Sequence, residues 1–158
     1  MLDKIPMTPA GLAKLEEELK NLKYNERPAV IQAISEARAL GDLSENAEYH
    51  SAKEKQGFVE SRISYLEGII GSAEVIDPKK MSGDTVRFSA TVTIVDVETD
   101  EEKVYQIVGK EETDIQSGKI SYDSPIARAL IGKEKGEEVT VQSPKGPRDF
   151  EITNVEYK

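Results

Sequence analysis

The sequence contains no cysteine and no tryptophan, and it has only one histidine. The lack of cysteine excludes a disulfide framework, a thiolate metal site and a cysteine nucleophile. No stretch approaches the roughly 18 consecutive apolar residues of a membrane-spanning helix, and the first residues do not resemble a signal peptide. We therefore expect a soluble, cytoplasmic protein that has no membrane partner.

The charge balance is strongly negative. Charged residues make up 32% of the chain, and the formal net charge at pH 7 is −9. A chain of this charge does not hold nucleic acid by bulk electrostatic attraction, because the phosphate backbone is also negative. We expect no independent nucleic-acid binding, so any contact with RNA depends on a local group of basic residues.

Apolar residues in the first half of the chain recur every three or four positions on both sides of a point between Asp42 and Leu43. This spacing places them on one face of a helix. The two sets match in reverse order, as antiparallel helices require: Leu12 with Ala73, Leu15 with Ile70, Leu19 with Leu66, Leu22 with Ile63, Val30 with Gln56, Ala33 with Ala52, and Ala37 with Tyr49. The pattern predicts a long antiparallel coiled-coil hairpin over residues 1–76, with arms of about 45 Å.

Local signals predict where the first arm begins, bends and ends. Thr8 is a favoured cap, and Pro9 suits the first helical position. Pro28 removes a helical hydrogen bond and disfavours helical geometry at Arg27, so we expect a kink or break near residues 26–28. Gly41 follows the last apolar residue and predicts a left-handed end to the arm.

The predicted turn carries three acidic residues, Asp42, Glu45 and Glu48. Asp42 and Glu45 have the spacing of a capping box, which would satisfy the start of the next helix. Alternatively, carboxylates this close repel one another and are better tolerated when a cation shares them. Two carboxylates do not complete an Mg²⁺ site, which takes six oxygen ligands, so the others would come from elsewhere. Spacing alone leaves both interpretations open.

Two basic residues, Arg38 and Lys53, flank this acidic turn on opposite arms. Together they would form a small basic spot, although scattered surface charge is the commoner explanation for any two such residues. The single His50 has no nucleophile beside it in the sequence, which argues against a catalytic role.

The pattern changes after a linker at residues 77–83, and residues 84–158 form a second domain. Alternating apolar residues from Val86 to Ile94 predict a strand, residues 104–108 a second one, and residues 139–141 and 150–152 a final hairpin. Ser124, Pro125 and Gly132 predict the cap, first position and end of a short helix. The fold class is therefore α+β, a coiled-coil hairpin followed by a small antiparallel β-sheet domain with one short helix.

Three stretches of the chain together resemble the GreA-type transcript cleavage factors of bacterial RNA polymerase. They are Met7 to Gly11 at the start of the coil, Gly41 to His50 at its turn, and Ser124 to Gly132 in the second domain. The resemblance covers essentially the whole chain, and the motif at the turn is highly specific. It implies that the coiled coil enters the secondary channel of the polymerase and that the FKBP-like second domain docks near the channel mouth.

The resemblance also implies roles for individual residues. Asp42 and Glu45 match the acidic positions that help to hold a second Mg²⁺ in the polymerase active centre, where the polymerase hydrolyses the 3′ end of backtracked RNA. Arg38 and Lys53 match a basic spot that contacts the extruded RNA. The expected partners are thus RNA polymerase and the nascent RNA 3′ end, and the free protein is expected to be a monomer without catalytic activity or bound metal of its own.

The polymerase-docking contact is expected on the short helix, at Ser124, Pro125, Ile126 and Ala127. Two other functions remain as alternatives. The first is a non-cleaving regulator of the same channel, which a tip without Asp42 and Glu45 would favour. The second is an FKBP-like prolyl isomerase, against which the absence of tryptophan counts, because such enzymes typically bind proline over a tryptophan.

Overall fold

A computed structural model describes residues 4–42 and 46–158 of the chain. The chain divides into two compact units. The hairpin unit comprises residues 12–73, and the sheet unit comprises residues 4–11 together with residues 74–158. Residues 4–11 thus group with the sheet unit.

Two helical arms form the hairpin unit. The first arm consists of α1 (Pro9–Asn21), a π-helical turn (Leu22–Glu26) and α2 (Arg27–Arg38). The second arm is the single helix α3 (Ala47–Gly71) of 25 residues. At a rise of about 1.5 Å per residue, α3 is about 37 Å long.

The first arm passes Pro28 without breaking. The N–H of Arg27 donates to the carbonyl oxygen of Leu22, five residues earlier, so the helix widens by one residue just before the proline. Pro28 then occupies an early position of α2, where its missing N–H costs little. We expected a kink or break near residues 26–28. No break occurs, and the irregularity of the arm at this point is the π-helical turn, which accommodates the proline.

The core of the hairpin unit follows the predicted apolar faces. Leu66 is fully buried, and Ile63 is 2% exposed. Ile34 is also buried, whereas Ala33, which the predicted stripe contained instead, is half-buried. The buried apolar residues of this unit are Leu15, Val30, Ile34, Ala37, Val59, Ile63 and Leu66.

Ion pairs along the edges of this core join the two arms in antiparallel order. Arg62 donates two hydrogen bonds to the carboxylate of Glu18, at 2.6 and 2.9 Å. Nearer the turn, Arg27 donates two to Glu60, at 2.8 and 2.9 Å. The side-chain hydrogen bond from Arg62 lowers the pKa of Glu18, despite the opposing effect of burial.

The sheet unit contains a five-stranded sheet in the order β5-β4-β3-β7-β6. The short strands β1 (Ile5–Met7) and β2 (Ala73–Val75) form a separate pair. The five strands and the helix α4 are β3 (Thr91–Asp96), β4 (Glu102–Val108), β5 (Lys119–Ser121), α4 (Pro125–Leu130), β6 (Glu138–Ser143) and β7 (Gly146–Glu156). All neighbouring strands pair antiparallel except β4 and β5, which run parallel.

The alternation from Val86 to Ile94 correctly predicted buried apolar residues, but it placed the start of the strand too early. Val86, Ala90 and Ile94 are fully buried, yet β3 begins only at Thr91. Ser89 has a φ of 76°, which interrupts the extended backbone before β3. The predicted final hairpin is present as β6 and β7, which meet at the pair Ser143 and Gly146.

The first residues of α1 are anchored inside the sheet unit. The carboxylate of Glu112 accepts the backbone N–H of Thr8 at 3.0 Å and that of Gly109 at 3.2 Å. The Thr8 hydroxyl donates to Glu112 and accepts the N–H of Gly11 at 3.1 Å, so the predicted Thr8 cap is present. A Cβ at Gly11 would overlap the Glu112 side chain, which explains the glycine.

Among the described residues, no helix is long and apolar enough to cross a membrane.

Candidate functional site

The turn of the hairpin lies between the end of α2 and the start of α3. Gly41 has a φ of 111°, so the predicted left-handed end of the first arm is present. Asp42 follows it and is exposed to solvent. Glu45, the second predicted acidic site residue, lies outside the described residues.

Asn46, and not Asp42, caps the second arm. Its backbone is extended, and its side-chain oxygen accepts the N–H of Tyr49 at 3.0 Å, which is the hydrogen bond of an N-cap. α3 begins at Ala47, so Asp42 stands four residues before the capping position. The capping-box interpretation of Asp42 and Glu45 is therefore wrong. Asparagine is a favoured cap, so the sequence allowed Asn46 in this role. The spacing of Asp42 and Glu45 also fitted a capping box, and local sequence did not decide between them.

The described part of the turn offers hard oxygen ligands but no complete cation site. Asp42 is exposed, and Glu48 is exposed in the first turn of α3, where the helix dipole favours a negative charge. No group of three or more acidic, histidine or cysteine side chains within residues 4–42 and 46–158 is arranged to hold a metal ion. Asp42 fits the role of one ligand of a hard cation, and the other ligands would have to come from beyond this region.

The two predicted basic residues lie on one groove between the arms. Arg38 on α2 and Lys53 on α3 both line a cavity of about 310 Å³. The ammonium group of Lys53 lies 3.2 Å from the side-chain oxygen of Gln56. The guanidinium of Arg38 lies 5.9 Å from the centre of the Tyr49 ring, within the range of a cation–π interaction. Arg38 and Lys53 therefore line the same groove, with Arg38 at the end of α2 and Lys53 in the second turn of α3.

His50 follows Tyr49 on α3 and is exposed. Its ring meets the Tyr49 ring edge to face, with 5.5 Å between the ring centres. This packing places the imidazole beside the aromatic ring that also faces Arg38.

The predicted docking helix is present as α4, but its residues differ in accessibility. Ser124 caps it, with its hydroxyl oxygen accepting the N–H of Ala127 at 3.3 Å. Pro125 is exposed and Ile126 is half-buried, whereas Ala127 is fully buried. Ala127 is thus a core residue and cannot contact a partner, which corrects its inclusion in the docking site. Alanine is small enough for either location, so the sequence did not distinguish them.

A groove beside α4 combines an apolar base with a basic rim. Ile126, Val141 and Phe150 contribute its apolar lining. Three basic residues from separate segments, Lys103, Lys145 and Arg148, also line this cavity of about 320 Å³. Sequence analysis missed this basic group because only the sheet brings the three segments together.

Arg148 in this group is held by a buried carboxylate. Its guanidinium donates to Asp96 at 2.6 Å, and Asp96 is only 3% exposed. Asp96 also accepts the backbone N–H groups of Glu98 and Thr99, at 2.9 and 3.2 Å. Burial is the largest single influence and raises the pKa of Asp96, but the hydrogen bonds and Arg148 together outweigh it, so the pKa is lowered.

Comparisons with known proteins match the chain over nearly its full length. A family model described as "Transcription elongation factor, N-terminal" matches residues 5–75. A second, described as "Transcription elongation factor, GreA/GreB, C-term", matches residues 81–157.

Individual relatives cover almost the same span. "Transcription elongation factor GreA" of Ruegeria pomeroyi is 59% identical over 156 residues, with 99% of each chain covered. The protein of the same description from Hyphomonas neptunium is 59% identical over 157 residues, with 99% of this chain and all of that one covered. A solved structure of GreA factor homolog 1 from Thermus thermophilus is 24% identical, has a TM-score of 0.45, and covers 97% of this chain and 99% of its own. On the family models and the full-length relatives, the chain belongs to the GreA/GreB family of transcription elongation factors.

Proposed function

We propose that this chain stimulates RNA polymerase to hydrolyse the 3′ end of backtracked RNA, with its helical hairpin inserted into the secondary channel. Family membership supports RNA polymerase as the partner. The observation that carries the proposal is the exposed Asp42 at the turn of the hairpin, on a backbone that continues neither arm. An exposed carboxylate at the end of a narrow pair of helices can reach a site that a globular surface cannot.

Asp42 and Glu45 are the residues that would ligate a second Mg²⁺ together with groups of the polymerase. Asp42 does not cap α3, since Asn46 does. When bound, the ion would orient and deprotonate the attacking water. The chain supplies the carboxylates and their placement, and we propose that it has no cleavage activity without the polymerase.

Arg38 and Lys53 would hold the extruded RNA close to these carboxylates. Both residues line the same groove, so two positive charges face one short stretch of phosphate backbone. The net charge of −9 works against binding RNA elsewhere on the chain. We propose that this contact forms only inside the complex, and that the free protein is a monomer.

The exposed side of α4 and the groove beside it are proposed as the docking surface. The apolar side chain of Ile126 is accessible in part. Lys103, Lys145 and Arg148 line the same cavity, and Arg148 is paired with Asp96. An apolar centre with a charged rim is typical of protein interfaces. The charge of the rim favours an acidic partner surface.

The experiment that tests the cleavage function compares the wild-type protein with Asp42→Asn on a stalled, backtracked polymerase complex with Mg²⁺. The substitution removes the charge and keeps the shape. We expect unchanged helix content and polymerase binding, and a cleavage rate at least about tenfold lower, or roughly 1.4 kcal/mol of transition-state stabilisation.

Three controls accompany this comparison. Glu45→Gln should lose activity similarly, Mn²⁺ should restore part of it, and protein without polymerase should leave the RNA intact. Normal cleavage by both variants would remove the carboxylate role. Tight binding without any cleavage by the wild-type protein would favour the non-cleaving channel regulator instead.

A further inference from the structure

The side chain of Asn46 joins the two arms where the hairpin turns. Its amide nitrogen donates to the carbonyl oxygen of Ala37 at 2.6 Å, and its amide oxygen accepts the N–H of Tyr49 at 3.0 Å. Ala37 lies in the last turn of α2 and is 2% exposed, whereas Tyr49 lies in the first turn of α3. One side chain therefore ties the end of the first arm to the start of the second.

The first N–H groups of α3 have no partners within their own helix, and Asn46 satisfies one of them. The Ala37 carbonyl oxygen also accepts the backbone N–H of Leu40 at 3.1 Å, so Asn46 donates to its second lone pair. Aspartate could cap α3 but has no hydrogen to donate to Ala37. Serine or threonine would have to accept from Tyr49 and donate to Ala37 at a single oxygen, whereas the amide of Asn46 uses two separate atoms. The choice of asparagine, rather than another good cap, is explained by the second hydrogen bond.

This bridge encloses Asp42 and reaches the basic spot. Asp42 lies on the segment between Ala37 and Asn46, so the bridge fixes both ends of the stretch that carries it. Tyr49, the residue capped by Asn46, places its ring 5.9 Å from the guanidinium of Arg38. The bridge thus holds the start of α3 against the end of α2, next to Asp42 and Arg38.

We infer that Asn46 is a positioning residue for transcript cleavage, which holds the two arms together so that the carboxylates of the turn meet the polymerase active centre in one arrangement. The inference rests on the proposed cleavage function. In this role Asn46 contacts no RNA, metal or polymerase itself. It acts through the placement of Asp42.

The substitution Asn46→Asp removes the hydrogen bond to Ala37 and keeps the cap of α3. Aspartate caps helices about as well as asparagine, so α3 should still begin at Ala47. It has no donor for Ala37, and one of its oxygens would face the carbonyl oxygen across the present 2.6 Å contact. The matched control is Asn25→Asp, which adds the same charge at an exposed position of the first arm away from the turn.

The first measurement is the distance between the arms in the free protein. Because the chain has no cysteine, Ala39→Cys and Ser51→Cys, both at exposed positions, can be spin-labelled selectively for pulsed dipolar spectroscopy. We expect a single narrow distance distribution in the doubly labelled parent and in the Asn25→Asp control, and a clearly broader one with Asn46→Asp.

The second measurement is cleavage in backtracked complexes at saturating protein, over a range of Mg²⁺ concentrations. We expect Asn46→Asp to bind polymerase with unchanged affinity, to cleave at least fivefold more slowly, and to need at least threefold more Mg²⁺ for half-maximal rate. A merely structural role would alter stability or binding without changing the Mg²⁺ requirement.

The outcomes separate this inference from the function on which it rests. An unchanged distance distribution or normal cleavage by Asn46→Asp, alongside an inactive Asp42→Asn, overturns the positioning role alone. Normal cleavage by Asp42→Asn and Glu45→Gln overturns the proposed function and the positioning role with it. Loss of helix content in Asn46→Asp would also count against the inference, since it would show that the bridge maintains the fold itself.

Discussion

Arg148 donates a hydrogen bond of 2.6 Å to Asp96, the one charged residue that is buried within the part of the chain that the structure describes. The two residues lie on different strands, Asp96 at the end of β3 and Arg148 near the start of β7. Their pairing ties the turn after β3 to the final hairpin, and it also supports the position of Arg148 on the groove beside α4.

This pair predicts a dependence of stability on pH. The pKa of Asp96 is lowered in the folded state, although burial alone would raise it, because two backbone N–H groups and Arg148 donate to the carboxylate. A lowered folded pKa means that the stabilisation is fully present above the unfolded pKa, near 3.9, and is lost as the pH falls through the folded value. Thermal unfolding of the wild type and Asp96→Asn should therefore differ most at neutral pH and converge below about pH 4.

The exposed Asp84 provides a control for that measurement, because Asp84→Asn removes the same charge from the same unit without removing a buried hydrogen-bond acceptor. Its melting temperature should follow the wild type at every pH. A constant difference between the wild type and Asp96→Asn down to pH 2 would contradict the lowered pKa.

The burial of the hairpin unit predicts unequal effects of two truncations on α3. Leu66 is fully buried, so Leu66→Ala should reduce the free energy of unfolding by about 2–5 kcal/mol, through lost burial and a residual cavity. Phe58 is 69% exposed, so Phe58→Ala should change it by no more than about 0.5 kcal/mol, although phenylalanine is larger. Chemical denaturation followed by circular dichroism measures both, and equal losses would mean that the arms pack on another face.

The basic spot predicts a dependence on the length of extruded RNA. Arg38→Ala and Lys53→Ala should reduce cleavage most in deeply backtracked complexes, where RNA protrudes past the active centre, and least where a single nucleotide is displaced. The loss should shrink as salt rises, because screening weakens the same phosphate contacts in the wild type. Gel analysis of cleavage products from complexes of defined depth tests this, and an equal loss with every complex would indicate damage to the hairpin or to docking instead.

The groove beside α4 predicts which substitutions weaken docking. Ile126→Asp and Lys145→Glu should each raise the Kd for polymerase at least fivefold, since one puts a charge in the apolar centre and the other reverses the rim. Lys135→Glu makes the same charge change at an exposed position that does not line this groove, and should alter the Kd by less than about twofold.

Ala127→Asp is unsuitable as a docking variant and has its own expected result. It would bury an unpaired carboxylate in the sheet core, so the sheet unit should unfold. Circular dichroism of each variant separates the two effects. Normal binding by folded Ile126→Asp and Lys145→Glu would move the docking surface to another face of the unit.

Much of the hairpin followed from the sequence by itself. The reversed order of apolar residues predicted antiparallel arms, and Leu66 and Ile63 are buried as that order required. The Thr8 cap and the left-handed Gly41 were also predictable, because these signals act within a few residues of the chain. The same holds for the Ser124 cap of α4 and the final hairpin of β6 and β7.

Other features depended on contacts between distant parts of the chain. Asn46 caps α3 while it also donates to Ala37, so the preference for Asn46 over Asp42 involves the other arm. Ala127 is buried because α4 packs on the sheet. The sequence pattern of such a short helix does not predict how far each of its residues is buried.

Lys103, Lys145 and Arg148 meet only because β4, the final hairpin and α4 surround one groove. Local sequence determined which elements form, because hydrogen bonds within a turn and the spacing of apolar residues act over short range. Tertiary packing alone decided which charges and faces come together, since those interactions join residues that lie tens of positions apart.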